Sequence, residues 1–153
     1  MRIAICDDNR REREEVINAI RNWDPTRSAE CFSDGASLLT AAKKSPGFDI
    51  AFLDIYMPDE NGVDIAEQLL QISPQTGIVF VTTSLDHAVS AFYLHALHYL
   101  VKPVTTEGVV EAFRRLSRLQ SKPRPMITLG SGRNSYTVYF DEIAYVQSDR
   151  HAK

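Results

Sequence analysis

The chain has 153 residues, 44% apolar and 24% charged, with a net charge of −3. That length holds one ordinary domain and a fragment of a second, and the composition excludes disordered and fibrous classes. No apolar run nears the roughly 18 to 20 residues that span a bilayer and no leader-like segment opens the sequence, so a cytoplasmic protein without membrane partners is expected.

Five short apolar runs alternate with amphipathic stretches. RIAIC (2–6) precedes a helix expected from about Asn9, a suitable cap, to Trp23, with Val16, Ile20 and Trp23 on one face. AECF (29–32) precedes a helix starting near Asp34. FDIAFLD (48–54) precedes a loop and a helix carrying Ile65, Leu69 and Ile72. GIVFVT (77–82) leads to a helix near Asp86 to His95, and LHYLV (97–101) leads past Pro103 to a helix from about Thr105 to Gln120. Strands that are apolar throughout suit a parallel sheet covered on both faces, with the helices as crossovers. The expected fold is therefore a doubly wound α/β domain with a five-stranded parallel sheet. Cys6 and Cys31 lie inside strand-like runs and are expected to be buried, reduced thiols.

At SKPRP (121–125) two prolines end the helix, and the pattern changes to period two: MITL, YTVYF, EIAYV. Residues 126–153 read as the start of an all-β unit, with too little chain to close a core alone. Charge changes with the pattern. Residues 1–120 carry 12 Lys/Arg against 17 Asp/Glu, whereas residues 121–153 carry 5 against 3, so the first segment is a poor nucleic-acid binder.

In an open parallel sheet, ligands bind beyond the carboxyl ends of the strands. Polar groups end four strands here: Asp7 and Asp8 after the first, Asp54 at the third, Thr82 and Thr83 at the fourth, Lys102 after the fifth. Asp7 and Asp8 alone would read as a capping pair, but with Asp54 and Lys102 they form an oxygen-rich crevice that suits a hard divalent cation such as Mg2+. A carboxylate between a cation and an ammonium is also a phosphoryl site, with Asp54 as nucleophile, Lys102 stabilising the phosphoryl oxygens and Thr82 contacting them. No Gly-rich phosphate loop and no Ser/His/Asp or Cys/His arrangement is recognisable. His87, His95, His98 and His151 lack the spacing of a metal pair.

CDD (6–8), LDIYMPDENG (53–62), VTT (81–83) and HYLVKP (98–103), in this order and spacing, resemble a response-regulator receiver domain, a flavodoxin-like fold, over about residues 1–120. The resemblance implies that Asp54 accepts phosphate from a phosphohistidine on a sensor histidine kinase. It implies Mg2+ held by Asp8, Asp54 and the backbone carbonyl of Tyr56 with Asp7 assisting, Lys102 paired with the phosphoryl group, and Thr82 and Tyr99 at two switch positions. Beyond a linker at 121–125, MITL to the end at 126–153 is similar to the opening of a LytTR-type DNA-binding domain. Receivers of that family are also similar in the AFYLHALHYLVKPV segment. Asn61 and His98 depart from the family pattern, each standing where an acidic residue is usual. The implied protein is a transcription regulator that forms a homodimer on activation, a signalling switch and not an enzyme. His151 falls where the related domains place a base-contacting residue, but most of that output domain is missing, so DNA binding is expected only of a longer chain. The alternative is a receiver-fold interaction module that works without phosphate. An aspartyl-phosphate phosphatase is disfavoured because Tyr56 stands two positions after Asp54, where those enzymes usually carry an acid.

Overall fold

The computed structural model describes residues 1–44, 46–84, 86, 91–92, 94–121, 126–131 and 134–139. The chain divides into two compact units, Met1–Arg118 and Leu119–Lys153. In the first, five strands form one parallel sheet: β1 (Ile3–Cys6), β2 (Ala29–Phe32), β3 (Ile50–Asp54), β6 (Gly77–Thr82) and β7 (His98–Val101), in the order β2-β1-β3-β6-β7. The crossovers carry α1 (Arg10–Trp23), α2 (Gly35–Ala42), α3 (Gly62–Ile72) and, after the last strand, α4 (Thr106–Ser121). Of the helix expected near 86–95, only the end is described. There His95 takes a left-handed φ of 51°, with Ala96 N–H donating to the Ala91 carbonyl and His95 N–H to that of Phe92, the hydrogen-bond pattern of a Schellman cap.

Capping side chains open three of the helices. Asn9 accepts from Arg11 N–H, Asp34 from Ser37 N–H and Asn61 from Val63 N–H, at 3.0, 2.8 and 2.8 Å. Asn61 thus has a structural task as the N-cap of α3.

Alternation along the strands sends side chains into two cores. On one face Ile3, Ile5, Ile50, Phe52, Val79 and Val81 meet Val16 and Ile20 of α1 and Val109, Phe113 and Leu116 of α4. On the other, Ala4, Cys6, Ala51, Leu53, Ile78 and Phe80 meet Leu38 of α2 and Ile65 and Leu69 of α3. Trp23 stacks on Phe113 with ring centroids 4.3 Å apart, and Phe113 lies 6.0 Å from Phe52. Full burial of such a side chain stabilises by about 1.5–3 kcal/mol, and these layers hold the strand ends in register.

Two expectations change. Cys31 is exposed, because β2 is an edge strand whose middle residues face solvent; Cys6, in the second strand of the sheet, is buried, and desolvation pushes its thiol up to about 12. The loop after β3 contains a small antiparallel pair, β4 (Tyr56–Met57) with β5 (Glu60–Asn61). It is tied to α2 by Glu60, whose carboxylate accepts from Gly35 N–H at 2.6 Å.

Within the second unit, β8 (Met126–Ser131) and β9 (Asn134–Tyr139) form an antiparallel hairpin in the register Met126↔Tyr139 to Ser131↔Asn134. The third expected strand, EIAYV, lies outside the described residues, as do His87 and His151.

Candidate functional site

The strand order reverses direction between β1 and β3, so helices leave these neighbours toward opposite faces and a crevice opens at their carboxyl ends. Asp7 follows β1 and Asp54 ends β3. Both are buried, at 4% and 5% exposure, and burial without compensation would cost several kcal/mol.

Compensation comes from Lys102. Its Nζ lies 2.8 Å from Asp7 Oδ2 and 3.3 Å from Asp54 Oδ1, and it also donates to Glu12 Oε2. The backbone brings it there: Lys102 N–H donates to the Thr82 carbonyl at 2.8 Å, extending the β6–β7 pairing by one step, and the Lys102–Pro103 peptide is cis. Carboxylate oxygens of Asp7, Glu12 and Asp54 all lie within 4.8 Å of one another.

The titration of these groups follows. Burial raises the pKa of Asp54 above the usual aspartate range, against the opposing charge of Lys102 and a hydrogen bond from the Tyr56 backbone. Asp7 is also raised by burial, with Lys102 and the Asn9 N–H at 2.8 Å pulling the other way. For Lys102, burial acts to lower the pKa, but its hydrogen bonds to Asp7 and Glu12 and the charges of Asp7 and Asp54 together outweigh it and hold the ammonium above the ordinary lysine range.

Thr82 has no exposed surface, and its Oγ1 has no hydrogen-bond partner. A buried hydroxyl left so costs about 1–3 kcal/mol. Tyr99 is half-buried on β7, its ring 6.3 Å from that of Phe80, and its hydroxyl donates to the Ser84 carbonyl at 2.6 Å.

Gly62 closes the other side. A Cβ there would sit 1.9 Å from the Asp54 carbonyl oxygen, while Gly62 N–H donates to the Ile55 carbonyl at 3.0 Å. Only glycine lets α3 start against the backbone of the Asp54 strand end.

The sequence-derived candidates divide accordingly. Asp7, Asp54 and Lys102 are brought together. Asp8 is exposed and stands outside the acidic cluster, and the Tyr56 side chain is exposed. Two further residues of α1 enter the site. Arg13 donates to the carbonyls of Asp7 and Asp8 at 2.6 and 3.2 Å, pinning the turn that carries them. Glu12 joins Lys102. Its spacing from Asn9 is that of a capping box, which gives it an ordinary explanation in the sequence and hides its reach toward the crevice.

A doubly wound domain with an acidic crevice and a lysine at its switch point defines the class. The family profile for the response regulator receiver domain matches residues 3–114, and the chain belongs to that family: it carries the receiver domain of a two-component response regulator. Curated relatives include the positive alginate biosynthesis regulatory protein of Pseudomonas aeruginosa, 32% identical over 142 residues covering 89% of this chain and 57% of the relative. The sensory transduction protein LytT of Enterococcus faecalis is 29% identical over 90% of this chain and 57% of its own length. An uncharacterised response regulatory protein of Vibrio cholerae is 39% identical over 75% of this chain and 44% of its own. The chain thus spans about half the length of the curated relatives it matches, and the LytT/LytR character expected from the sequence is found in them. Among solved structures, the response regulatory domain of mrkE from Klebsiella pneumoniae matches with a TM-score of 0.67 at 28% identity, over 80% of this chain and all of that one. A receiver domain protein from Methanospirillum hungatei matches with a TM-score of 0.68 at 22% identity, over 80% of this chain and 98% of that one. Among the described residues no helix is long and apolar enough to cross a membrane.

Proposed function

We propose that residues 1–120 form a phosphoacceptor switch in which Asp54 takes a phosphoryl group from a phosphohistidine of a sensor histidine kinase. The observation that carries this reading is the buried Asp54 carboxylate at a strand end, 3.3 Å from the Lys102 ammonium and inside a crevice of three acids. The donor set is all hard oxygen, which fits Mg2+. Asp8, Asp54 and the backbone carbonyl of Tyr56 would hold the ion, with Asp7 assisting. When bound, Mg2+ would supply charge neutralisation at these carboxylates.

In the transfer an Asp54 carboxylate oxygen attacks phosphorus, the bond from phosphorus to the donor atom breaks, and the donor leaves with that electron pair. Lys102 then faces the phosphoryl oxygens from the Asp7 side. The unpartnered Thr82 hydroxyl supports this reading because a phosphoryl oxygen would give it the acceptor it lacks. Its movement, followed by that of the Tyr99 ring, biases a two-state equilibrium that exposes a homodimer surface. The remaining chain fits the rest of a LytTR-type regulator. We read residues 121–125 as a linker and 126–153 as the start of the DNA-binding domain, with His151 within it, and sequence recognition belongs to a longer chain.

Incubation with acetyl phosphate and Mg2+ followed by intact-mass measurement tests the reading. The chain should gain one phosphoryl group, and Asp54→Asn should gain none. A phosphoryl group on any other residue of the native chain refutes Asp54 as acceptor, and no gain at all leaves the phosphate-independent module.

A further inference from the structure

Glu12 is the acid in the crevice for which the transfer described above has no use. Three carboxylates share one ammonium, and they do so unequally. Asp7 Oδ2 is 2.8 Å from Lys102 Nζ, Glu12 Oε2 is in direct hydrogen-bond contact, and Asp54 Oδ1 is the most distant at 3.3 Å. The ammonium is therefore anchored on the α1 side, with Glu12 taking one of its three donors.

Exposure separates the partners further. The side chains of Asp7 and Asp54 are each 6% exposed, whereas that of Glu12 is 28% exposed. If an additional anion enters the crevice, a partner must yield, and Glu12 can do so into water at least cost because it sits on the first turn of a surface helix. Asp7 cannot leave so easily: its Oδ1 accepts from Asn9 N–H at 2.8 Å, and its own carbonyl is held by Arg13.

We infer that Glu12 is a positioning residue that stands in for the phosphoryl group: its carboxylate holds Lys102 in the resting site and is displaced from the ammonium when Asp54 is phosphorylated. This rests on Asp54 being the phosphoryl acceptor. It goes beyond that reading by assigning a brake to a residue outside the receiver motifs quoted above. A contact present at rest and absent in the transition state raises the barrier to loading. Because the same contact is absent both from the loaded state and from its hydrolysis transition state, Glu12 leaves dephosphorylation unchanged.

Two substitutions separate contact from charge. Glu12→Gln keeps the reach and removes the charge, whereas Glu12→Asp keeps the charge and shortens the reach by one methylene. Loading is followed by intact mass with acetyl phosphate and saturating Mg2+: the Asp54 oxygen attacks phosphorus and acetate leaves with the electron pair of the broken phosphorus–oxygen bond. Hydrolysis is followed after the donor is removed, and thermal melts establish that the variants are folded. Both variants should load about five-fold faster than the native chain, the size expected for loss of a partly exposed ion pair, with hydrolysis within about two-fold of native.

Acceleration by Glu12→Gln alone would show an effect of charge and overturn the contact. Native-like loading in both variants also overturns it. Slower loading with weaker Mg2+ binding in Glu12→Gln would make Glu12 a holder of the ion, again against the inference. If the native chain loads and the variants match it, this inference alone fails; if the native chain gains no phosphoryl group, the acceptor reading fails and takes the inference with it.

Discussion

Asp54→Asn should make the metal-free domain more stable, although it removes a partner of a buried lysine. At an effective dielectric of 20, attraction between Asp54 and Lys102 at 3.3 Å is about 5 kcal/mol. Repulsion between Asp54 and each of Asp7 and Glu12, whose oxygens lie within 4.8 Å, is about 3.5 kcal/mol or more. The repulsions together exceed the attraction by roughly 2 kcal/mol, before the cost of burying the charge is added. The amide is nearly isosteric, and Lys102 keeps Asp7 and Glu12, so no orphan ammonium results. In a domain of this size the gain should raise Tm by about 5–10 °C in chelator-treated buffer at pH 7. The pH dependence has a definite sign. Because burial raises the pKa of folded Asp54 above its unfolded value, the native fold binds that proton more tightly than the unfolded chain does. Native stability therefore gains on the variant as pH falls through the folded pKa, and the Tm gap narrows. Mg2+ should narrow it too, by stabilising the native chain more than the variant. Melts by circular dichroism over pH 5 to 8, with and without Mg2+, measure all three effects. A variant no more stable than the native chain at pH 7 without Mg2+ would refute the balance of charges argued here.

Gly62→Ala should cost about 3 kcal/mol or more, since the added Cβ meets the Asp54 carbonyl at 1.9 Å and neither backbone can retreat cheaply; an unchanged melting temperature would show that α3 does not need that approach. Thr82→Val removes a buried hydroxyl without a partner and should stabilise the unphosphorylated domain by about 1 kcal/mol while slowing loading of Asp54, so a destabilised variant would mean that the hydroxyl has an acceptor at rest. Asp8→Ala should weaken Mg2+ binding about tenfold in a calorimetric titration with little change in fold stability, because Asp8 is exposed. Equal affinity would leave Asp8 a turn residue.

Much of this was legible in the sequence because strand ends in a doubly wound sheet must meet on one rim, and the residues closing those strands are chemically distinctive. Asp54 and Lys102 could be paired across 48 residues on that ground alone. What escaped has specific causes. Asp7 and Asp8 look equivalent in one dimension, and the burial of Asp7 beside an exposed Asp8 depends on the sheet, which holds Asp7 by its N–H bond to the Phe32 carbonyl at 3.1 Å. Cys31 looked like Cys6, but whether a short strand lies at an edge depends on the order of all five strands. Glu12 was masked by a sufficient local explanation, since an acid three residues after a cap needs no other reason to be there.

The resting crevice is best understood as an arrangement that lacks positive charge. Asp7, Glu12 and Asp54 against Lys102 leave a net charge of −2, the charge a single divalent cation cancels. A fully neutralised site would give an entering phosphoryl group nothing to change. An under-neutralised one keeps Lys102 divided among acids, Thr82 without an acceptor and the Asp54 pKa raised, three unfavourable conditions that, under the proposed function, a cation and a phosphoryl group would relieve together. The folding energy for holding this site comes from elsewhere, from the two apolar layers that clamp the strands from both faces. That separation lets the carboxyl edge hold uncompensated charge without loosening the sheet, and under the proposed function it would give a small covalent change at Asp54 leverage over the half-buried Tyr99 and the surface beyond it.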